Sequence, residues 1–549
     1  MTNNEILSFY KENGYYVENI FSTEVMDEYR EEGNRLIELR KTSEEDDNTR
    51  PYAYTHKDSE LFDKLWRHPR TLEILETLIG GRVDGLQTWM YYKPPGELGR
   101  DVHQNIFYSH ANRGDIINAS CAVDNSDEEN AQRLPDAIIS TLGEEIVDEP
   151  KINATLTLIE EDLNETNYSI GIEIRGSSSQ MFDKKSYGFE TRSADFNDDV
   201  DVSLGGFSEE EDWIFYGPYT DKSLIRNKLT FDLSNLIGYK ASNTKFYNLT
   251  INNDFKGIYI LMEKIKRDKN RVDITKHSGS SPNGGYIIKI DKPTGDGGLC
   301  NTCYDNSFSF RSNYDSNGNL SSGSEIYFVY DYPKPDDISS EQKEYIQTYI
   351  NDFESNLLSD NFNDLENGYL SYIDLDSFIN FFIINEITKN IDGYRLSTFL
   401  NKDVNGKLKM GPIWDFNLAF GNADYCNGWV TSGWGYKFND ICSGDVWQVP
   451  FWWNRLMESP KFKEELKIRW NSLRSNLLSN QSVMNKIDEY SNYLNERGAV
   501  YQNFSRWDVL GRYIWPNKFI ASTHEEEIDF MKDWINDRFQ WLDESISGL

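Results

Sequence analysis

The chain has 549 residues, with 56 Lys plus Arg against 91 Asp plus Glu and a formal charge of −35. A polyphosphate backbone or an anionic membrane needs an extended basic surface, so nucleic acid and charged lipid are excluded as partners. Aromatic residues make up 14% of the chain, too many for a disordered acidic polymer, and at roughly 150 residues per domain there is room for two to four packed domains.

The start, MTNNEILSFYKENGYY, lacks a basic segment followed by an apolar one, which makes the cytoplasm the default compartment. No run approaches the roughly 18 consecutive apolar residues that span a bilayer. Residues 1 to about 90 read as mainly helical. FSTEVMDEYREEGNRLIELRK opens on Ser22 or Thr23 as a cap, and in HPRTLEILETLIGG the residues Leu72, Leu75, Leu78 and Ile79 keep helical spacing before Gly80-Gly81 stops them. The polar, acidic stretch AVDNSDEENAQRLPDA marks a domain boundary.

Beyond it the pattern turns to strands, near 152–160 and at 170–176, 185–192, 257–265 and 285–291. Gly- and Ser-rich text from 278 to 325 reads as long loops. Within it Asp315, Asn317 and Asn319 imitate a calcium loop, but Leu320 stands where the turn glycine is required. Five cysteines, Cys121, Cys300, Cys303, Cys426 and Cys442, are too few for a disulfide scaffold. Cys300 and Cys303 could be half a zinc site, but fifteen residues separate Cys426 from Cys442, so no matching pair completes it. Beyond Glu341 the chain becomes helical, and the C-terminal hundred residues or so, rich in Trp, Leu and Arg, read as a helical block.

Residues 373–421 carry the densest chemistry. Asp376 can cap a helix whose residues Phe378, Ile379, Phe381, Phe382, Ile383, Ile384 and Ile387 leave almost no polar face. That buried helix ends on Asn385, Lys389, Asn390 and Asp392. YRLSTFLNK and KLKMGPIWD then flank Asn405-Gly406, a strong hairpin signal that brings Asp415 back toward Asp392. In protein kinases a loop aspartate likewise precedes a short hairpin and a metal-binding Asp-Phe. Here the second string is Asp415-Phe416-Asn417 and the HRD signature is absent, so by layout alone a hairpin with solvated acids explains it equally well. A small-residue turn, Arg175-Gly176-Ser177-Ser178-Ser179, followed by Lys184-Lys185, suits phosphate. In GIYILMEKI, alternation puts Tyr259, Leu261 and Glu263 on one strand face, where Glu263 could pair with a lysine.

Residues from about 133 to 549 resemble the spore-coat CotH kinase family. The likeness is carried by IEIRGSSSQMFDKKSYGFETR, DWIFYGPYTDKSLIRNKLTFDLS, GIYILMEKIKRDKNRVDI, GGYIIKID and NIDGYRLSTFLNKDVNGKLKMGPIWDFNLAFGNADYC. The resemblance implies an α+β, atypical protein-kinase-like fold, with a strand-rich lobe and a helical C-terminal block. It also implies ATP and Mg2+ as cofactors and phosphate transfer to Ser or Thr of a protein acceptor. AMP transfer by the same site and a catalytically silent interaction module stay open beside it. Asp392 matches the family's catalytic-loop aspartate and Asp415 its metal-binding one, with Asn417 as a further metal ligand where many members have an acid. Lys185 and Glu263 are the implied phosphate-holding pair, with Arg226 and Arg175 as further nucleotide contacts.

Residues 1–132 resemble the opening of the phytanoyl-CoA dioxygenase family through FYKENGYYVENIFSTEVMDEY, LWRHPRTLEILETLIGGRVDGLQTWMYYKPPG and VHQNIFY. His103 is present, but Asn105 replaces the carboxylate of the iron-binding triad, so the expectation is a truncated, inactive segment. The net charge adds one more expectation, an acceptor with basic residues near its hydroxyl.

Overall fold

The computed structural model describes residues 133–293, 303–320 and 326–549, together with Tyr52–Ala53, Arg70, Glu73 and Trp89–Met90. The chain divides into two compact units, Met1–Gln132 with Glu496–Gly498, and Arg133–Asn495 with Ala499–Leu549. In the first, Tyr52–Ala53 pairs antiparallel with Trp89–Met90. Arg70 and Glu73, from the expected second helix, are helical and joined by an ion pair of 3.1 Å. The expected first helix, His103 and Asn105 lie outside the described residues.

The second unit begins with seven strands: β1 (Asp136–Ser140), β2 (Ile152–Ile159), β3 (Glu165–Arg175), β4 (Ser186–Arg192), β5 (Asp212–Tyr216), β6 (Thr244–Ile251) and β7 (Asp254–Glu263). They close into a barrel in the order β1-β2-β3-β4-β5-β7-β6. Every pairing is antiparallel except the one that closes the ring, where β1 runs parallel to β6 with Asp136 opposite Asn248. Closure leaves no unpaired edge. Leu156, Ile170, Phe189, Trp213, Tyr247 and Leu261 fill the interior, each at most 1% exposed. Three of these strands escape the sequence reading. β1 and β5 are only five residues long, and β5, DWIFY, buries its three central residues in one apolar run instead of alternating. β6 has its alternation broken by polar residues.

A helix, α1 (Arg226–Leu236), joins β5 to β6. The second sheet comprises β8 (Tyr286–Ile290), β9 (Ser309–Arg311), β10 (Tyr327–Tyr332), β11 (Thr398–Lys402) and β12 (Leu408–Met410). Its antiparallel order is β9-β10-β8-β11-β12. β11 and β12 are the hairpin that Asn405-Gly406 predicts, with Asn405 in the left-handed region at φ +54°.

The longer helices are α2 (Ser340–Leu358), α3 (Leu375–Thr388), α4 (Pro460–Arg474), α5 (Asn480–Glu496), α6 (Ala499–Arg506) and α7 (His524–Ser547). Capping boxes at Ser339/Gln342 and Thr523/Glu526 start α2 and α7. α3 packs against α4 and α7, so it is covered on nearly all sides, as its composition demands. Its cap is Asp374, which accepts from the Ser377 N–H, and not Asp376, which lies within the first turn. The strand-rich portion followed by helices is the α+β order expected. Trp452 and Trp453 are core residues at 0% and 1% exposure.

In the calcium-like loop, Asp315 Oδ1 accepts from the N–H groups of Asn317 and Asn319 at 2.8 and 2.9 Å, closing a polar turn. Cys426 and Cys442 form a disulfide with Cα atoms 5.7 Å apart. No helix among the described residues is long and apolar enough to cross a membrane.

Candidate active site

α3 delivers the first acid. Its last turn gives way at Lys389, whose φ of +41° ends the helix and whose ammonium donates to the carbonyls of Val430 and Ser432 at 2.8 and 2.6 Å. The loop Asn390–Ser397 follows. Gly393 has no alternative there, because a Cβ would sit 2.4 Å from Asn385 Oδ1. Arg395, 2% exposed, donates to Asp392 Oδ1 at 2.9 Å and to Asp445 Oδ1 and the Trp447 carbonyl, both at 3.3 Å. One oxygen of Asp392 is thus fixed.

The hairpin delivers the second acid. After β12 the strap Gly411–Phe416 brings Asp415 into the left-handed region at φ +62°, a conformation that costs a non-glycine residue about 1 kcal/mol. The Phe416 N–H donates to Asn227 Oδ1 at 2.6 Å, which holds the strap on α1. Asn390 joins the two acids. Its Nδ2 donates to the Asp415 carbonyl at 2.9 Å, and its Oδ1 accepts from the Asp392 N–H at 3.3 Å. One amide therefore sets the separation of both backbones.

The Asp415 carboxylate has no hydrogen-bond donor among the described residues. Burial pushes it up to about 6, helped by the charges of Asp392 and Asp291 and opposed by Arg175 and Lys292. Part of its surface still meets solvent, yet enough protein surrounds it for desolvation to dominate. Arg175, at the end of β3, lies 5.6 Å from the centre of the Trp414 ring. Its guanidinium has no acceptor among the described residues, and burial pulls it below its ordinary range against the pull of Asp415 and Glu173. An unmatched carboxylate and an unmatched guanidinium within reach of each other's charge suit a cation and an anion bound together. Burial, with Asp221 and then Asp415, raises Tyr216, and burial with Asp392 raises Tyr425, placing two phenols beside the acids.

Asn417 follows on the same strap. Its Nδ2 is 3.5 Å from Thr220 Oγ1, and its Oδ1 accepts no hydrogen bond among the described residues, so that oxygen is available to a metal.

The remaining expected contacts lie elsewhere. Lys185 donates to the carbonyls of Gln180 and Phe182 at 2.6 and 2.7 Å, while Glu263 Oε2 accepts from the main chain and amide of Asn243 at 2.8 and 3.0 Å. The two do not form an ion pair. Lys184 is 2% exposed and donates to Asn503 Oδ1 at 2.7 Å. Arg226 is fully buried, with its donors spent on Asp221, Ser223, Glu527 and the Ala419 carbonyl, so it locks α1 to α7 and has none left for a nucleotide. Of the basic residues singled out in the sequence, Arg175 alone faces Asp415.

Two residues whose charges act on this group escape the sequence reading, Asp291 on Asp415 and Lys289 beside Arg175. Both belong to GYIIKID, where charges two apart on an otherwise apolar strand are the available signal. A separate trio, Asp201, Glu210 and Glu211, could also gather around a metal, but Lys266 and Arg271 already meet its charge.

A family model described as CotH kinase protein matches residues 172–542, a span that contains Arg175, Asp291, Asp392 and Asp415. A second, described as Phytanoyl-CoA dioxygenase (PhyH), matches residues 10–131. No curated protein matches the chain.

Proposed function

The chain belongs to the CotH kinase family, and on that premise we propose that it moves the terminal phosphate of ATP, with Mg2+, to a Ser or Thr hydroxyl of a protein acceptor. One observation carries the proposal. Asp392 and Asp415 are tied through Asn390, and the donor-free Asp415 carboxylate faces the acceptor-free Arg175 guanidinium.

Each residue has a chemical task. Asp415 and the Asn417 amide oxygen would hold Mg2+, which when bound neutralises charge on the phosphates. Arg175 would bind a phosphate oxygen. Asp392, with one oxygen fixed by Arg395, keeps the other for the acceptor hydroxyl and takes its proton as the oxygen–phosphorus bond forms and the bond to ADP breaks. Holding both groups in line is where most of the acceleration originates. The formal charge of −35 favours acceptors with Lys or Arg near the hydroxyl. Residues 1–132, with Asn105 in place of an iron ligand, would act as a docking or packing segment.

The test is transfer from γ-labelled ATP to a Ser-containing basic protein or to the chain itself, with mass spectrometry to separate phosphate from AMP. Asp392→Asn and Asp415→Ala should each lower transfer at least about a hundredfold. Full activity in either variant would refute the assignment.

A further inference from the structure

An ion pair whose acid acts on Asp415 has no use in the roles above. β8 is apolar except for Lys289, whose ammonium lies 3.2 Å from Asp291 Oδ2. The other Asp291 oxygen accepts from the N–H groups of Lys292 and Ser397 at 2.9 and 3.3 Å, and the Asp291 carbonyl accepts from the Tyr304 hydroxyl at 2.8 Å. Ser397 closes the loop that begins at Asn390. The acid that fixes Lys289 is therefore bonded to the segment that bears Asp392.

Lys289 also belongs to the same aromatic stack as Arg175. Its ammonium is 5.6 Å from the centre of the Phe399 ring, Phe399 meets Trp414 edge-on at 6.4 Å, and Arg175 lies 5.6 Å from Trp414 on the same strap as Asp415. Two cations thus flank one pair of rings. Burial and the charge of Arg175 oppose the ammonium of Lys289, and Asp291 and Asp331 outweigh them and hold it above its ordinary range. Like charges that are partly desolvated repel, a cost that an anion bound near both would offset. Lys185 cannot fill this place, because its ammonium is held by two carbonyls.

We propose that Lys289, held by Asp291, forms with Arg175 the site for the phosphates of the nucleotide, and that Asp291 is the positioning residue linking this lysine to the Asp392 loop. The proposal rests on the ATP-dependent reading above. A flexible ammonium reads phosphate as a point charge, so it needs an acid to aim it, whereas the planar Arg175 fork does not.

The experiment titrates the full chain with ADP and, separately, with tripolyphosphate, in the absence of divalent cations, by isothermal calorimetry. Wild type should bind both. Lys289→Gln should weaken both by about tenfold or more, the effect of one lost charged hydrogen bond, and Lys289→Arg should recover most of that. Asp291→Asn should lower kcat more than it changes the KM for ATP, a split that simple loosening of the fold would not give. Unchanged tripolyphosphate affinity in Lys289→Gln, an Arg variant as weak as the Gln variant, or equal effects of Asp291→Asn on kcat and KM would each overturn the proposal. Wild type that binds neither probe would instead overturn the ATP-dependent reading itself, so the two failures are distinguishable.

Discussion

Replacing Asp415 with Asn should make the ligand-free protein more stable at neutral pH while it destroys transfer. The carboxyl stands at about 6 in the fold against an ordinary 3.8, so the folded state holds its proton more tightly than the unfolded chain does. A carboxylate raised in this way contributes nothing unfavourable below the unfolded value. It destabilises the fold progressively as pH climbs from 3.8 to 6, and the whole cost stands above that. Roughly two pKa units correspond to about 3 kcal/mol as a ceiling. The side chain still touches solvent, which trims the figure to about 1–2 kcal/mol.

An amide of the same shape does not titrate, so the gain of Asp415→Asn over wild type should be fully present at pH 8. It should fall to roughly half at pH 5, midway through the window, and approach zero below pH 4. Urea unfolding of both proteins at these three values, with divalent cations chelated, measures it directly. A variant no more stable than wild type at pH 8, or a gain that does not shrink on acidification, would show that Asp415 is not the strained, unmatched charge described above. Added Mg2+ should stabilise wild type and not the variant, since binding to the fold alone shifts its apparent stability.

Two other substitutions probe the surroundings. Asn417→Asp adds a carboxylate beside Asp415, so the Mg2+ concentration for half-maximal activity should fall by about tenfold, measured as transfer against free Mg2+; an unchanged value would remove Asn417 from the metal site. Arg538 is fully buried and donates to Glu386 Oε2 at 2.8 Å and to the carbonyls of Glu386, Thr431 and Gly433. Arg538→Met leaves the Glu386 charge buried and unmatched, so unfolding free energy in urea should fall by about 3–5 kcal/mol, and a loss under about 1 kcal/mol would contradict that account.

What the sequence could disclose follows the range of each interaction. The closeness of Asp392 and Asp415 is legible because both flank one hairpin, whose Asn405-Gly406 turn is a short-range signal. Arg175 was visible as a cation beside small residues. Lys185 and Glu263 were not separable from a true pair, because Lys185 borders β4 and Glu263 ends β7, and only the tertiary fold decides which carbonyls or amides they meet. Arg226 illustrates the same limit. Its partner Glu527 is 301 residues away, and no local pattern distinguishes a buried lock from a ligand contact. Barrel closure was equally hidden, since it depends on β1, five residues long, finding β6 more than a hundred positions later.

The Cys426–Cys442 bond has a consequence for when the molecule becomes competent. It joins the segment after Asp415 to the one that ends at Asp445, the residue that shares Arg395 with Asp392. Besides that bond, the Asp445 turn is held by hydrogen bonds, among them those from the Asp445 N–H and the Gln448 amide to the Cys442 carbonyl at 3.0 and 3.1 Å and from the same amide to the Asp445 carbonyl at 2.7 Å. Such hydrogen bonds contribute about 1 kcal/mol each and open readily, whereas a cross-link restricts the two segments at all times. A newly made chain in a glutathione-rich medium would therefore possess all the acids of its centre but a slack rim around them. Oxidation would complete the rim, since such a bond persists only where the surroundings are not reducing.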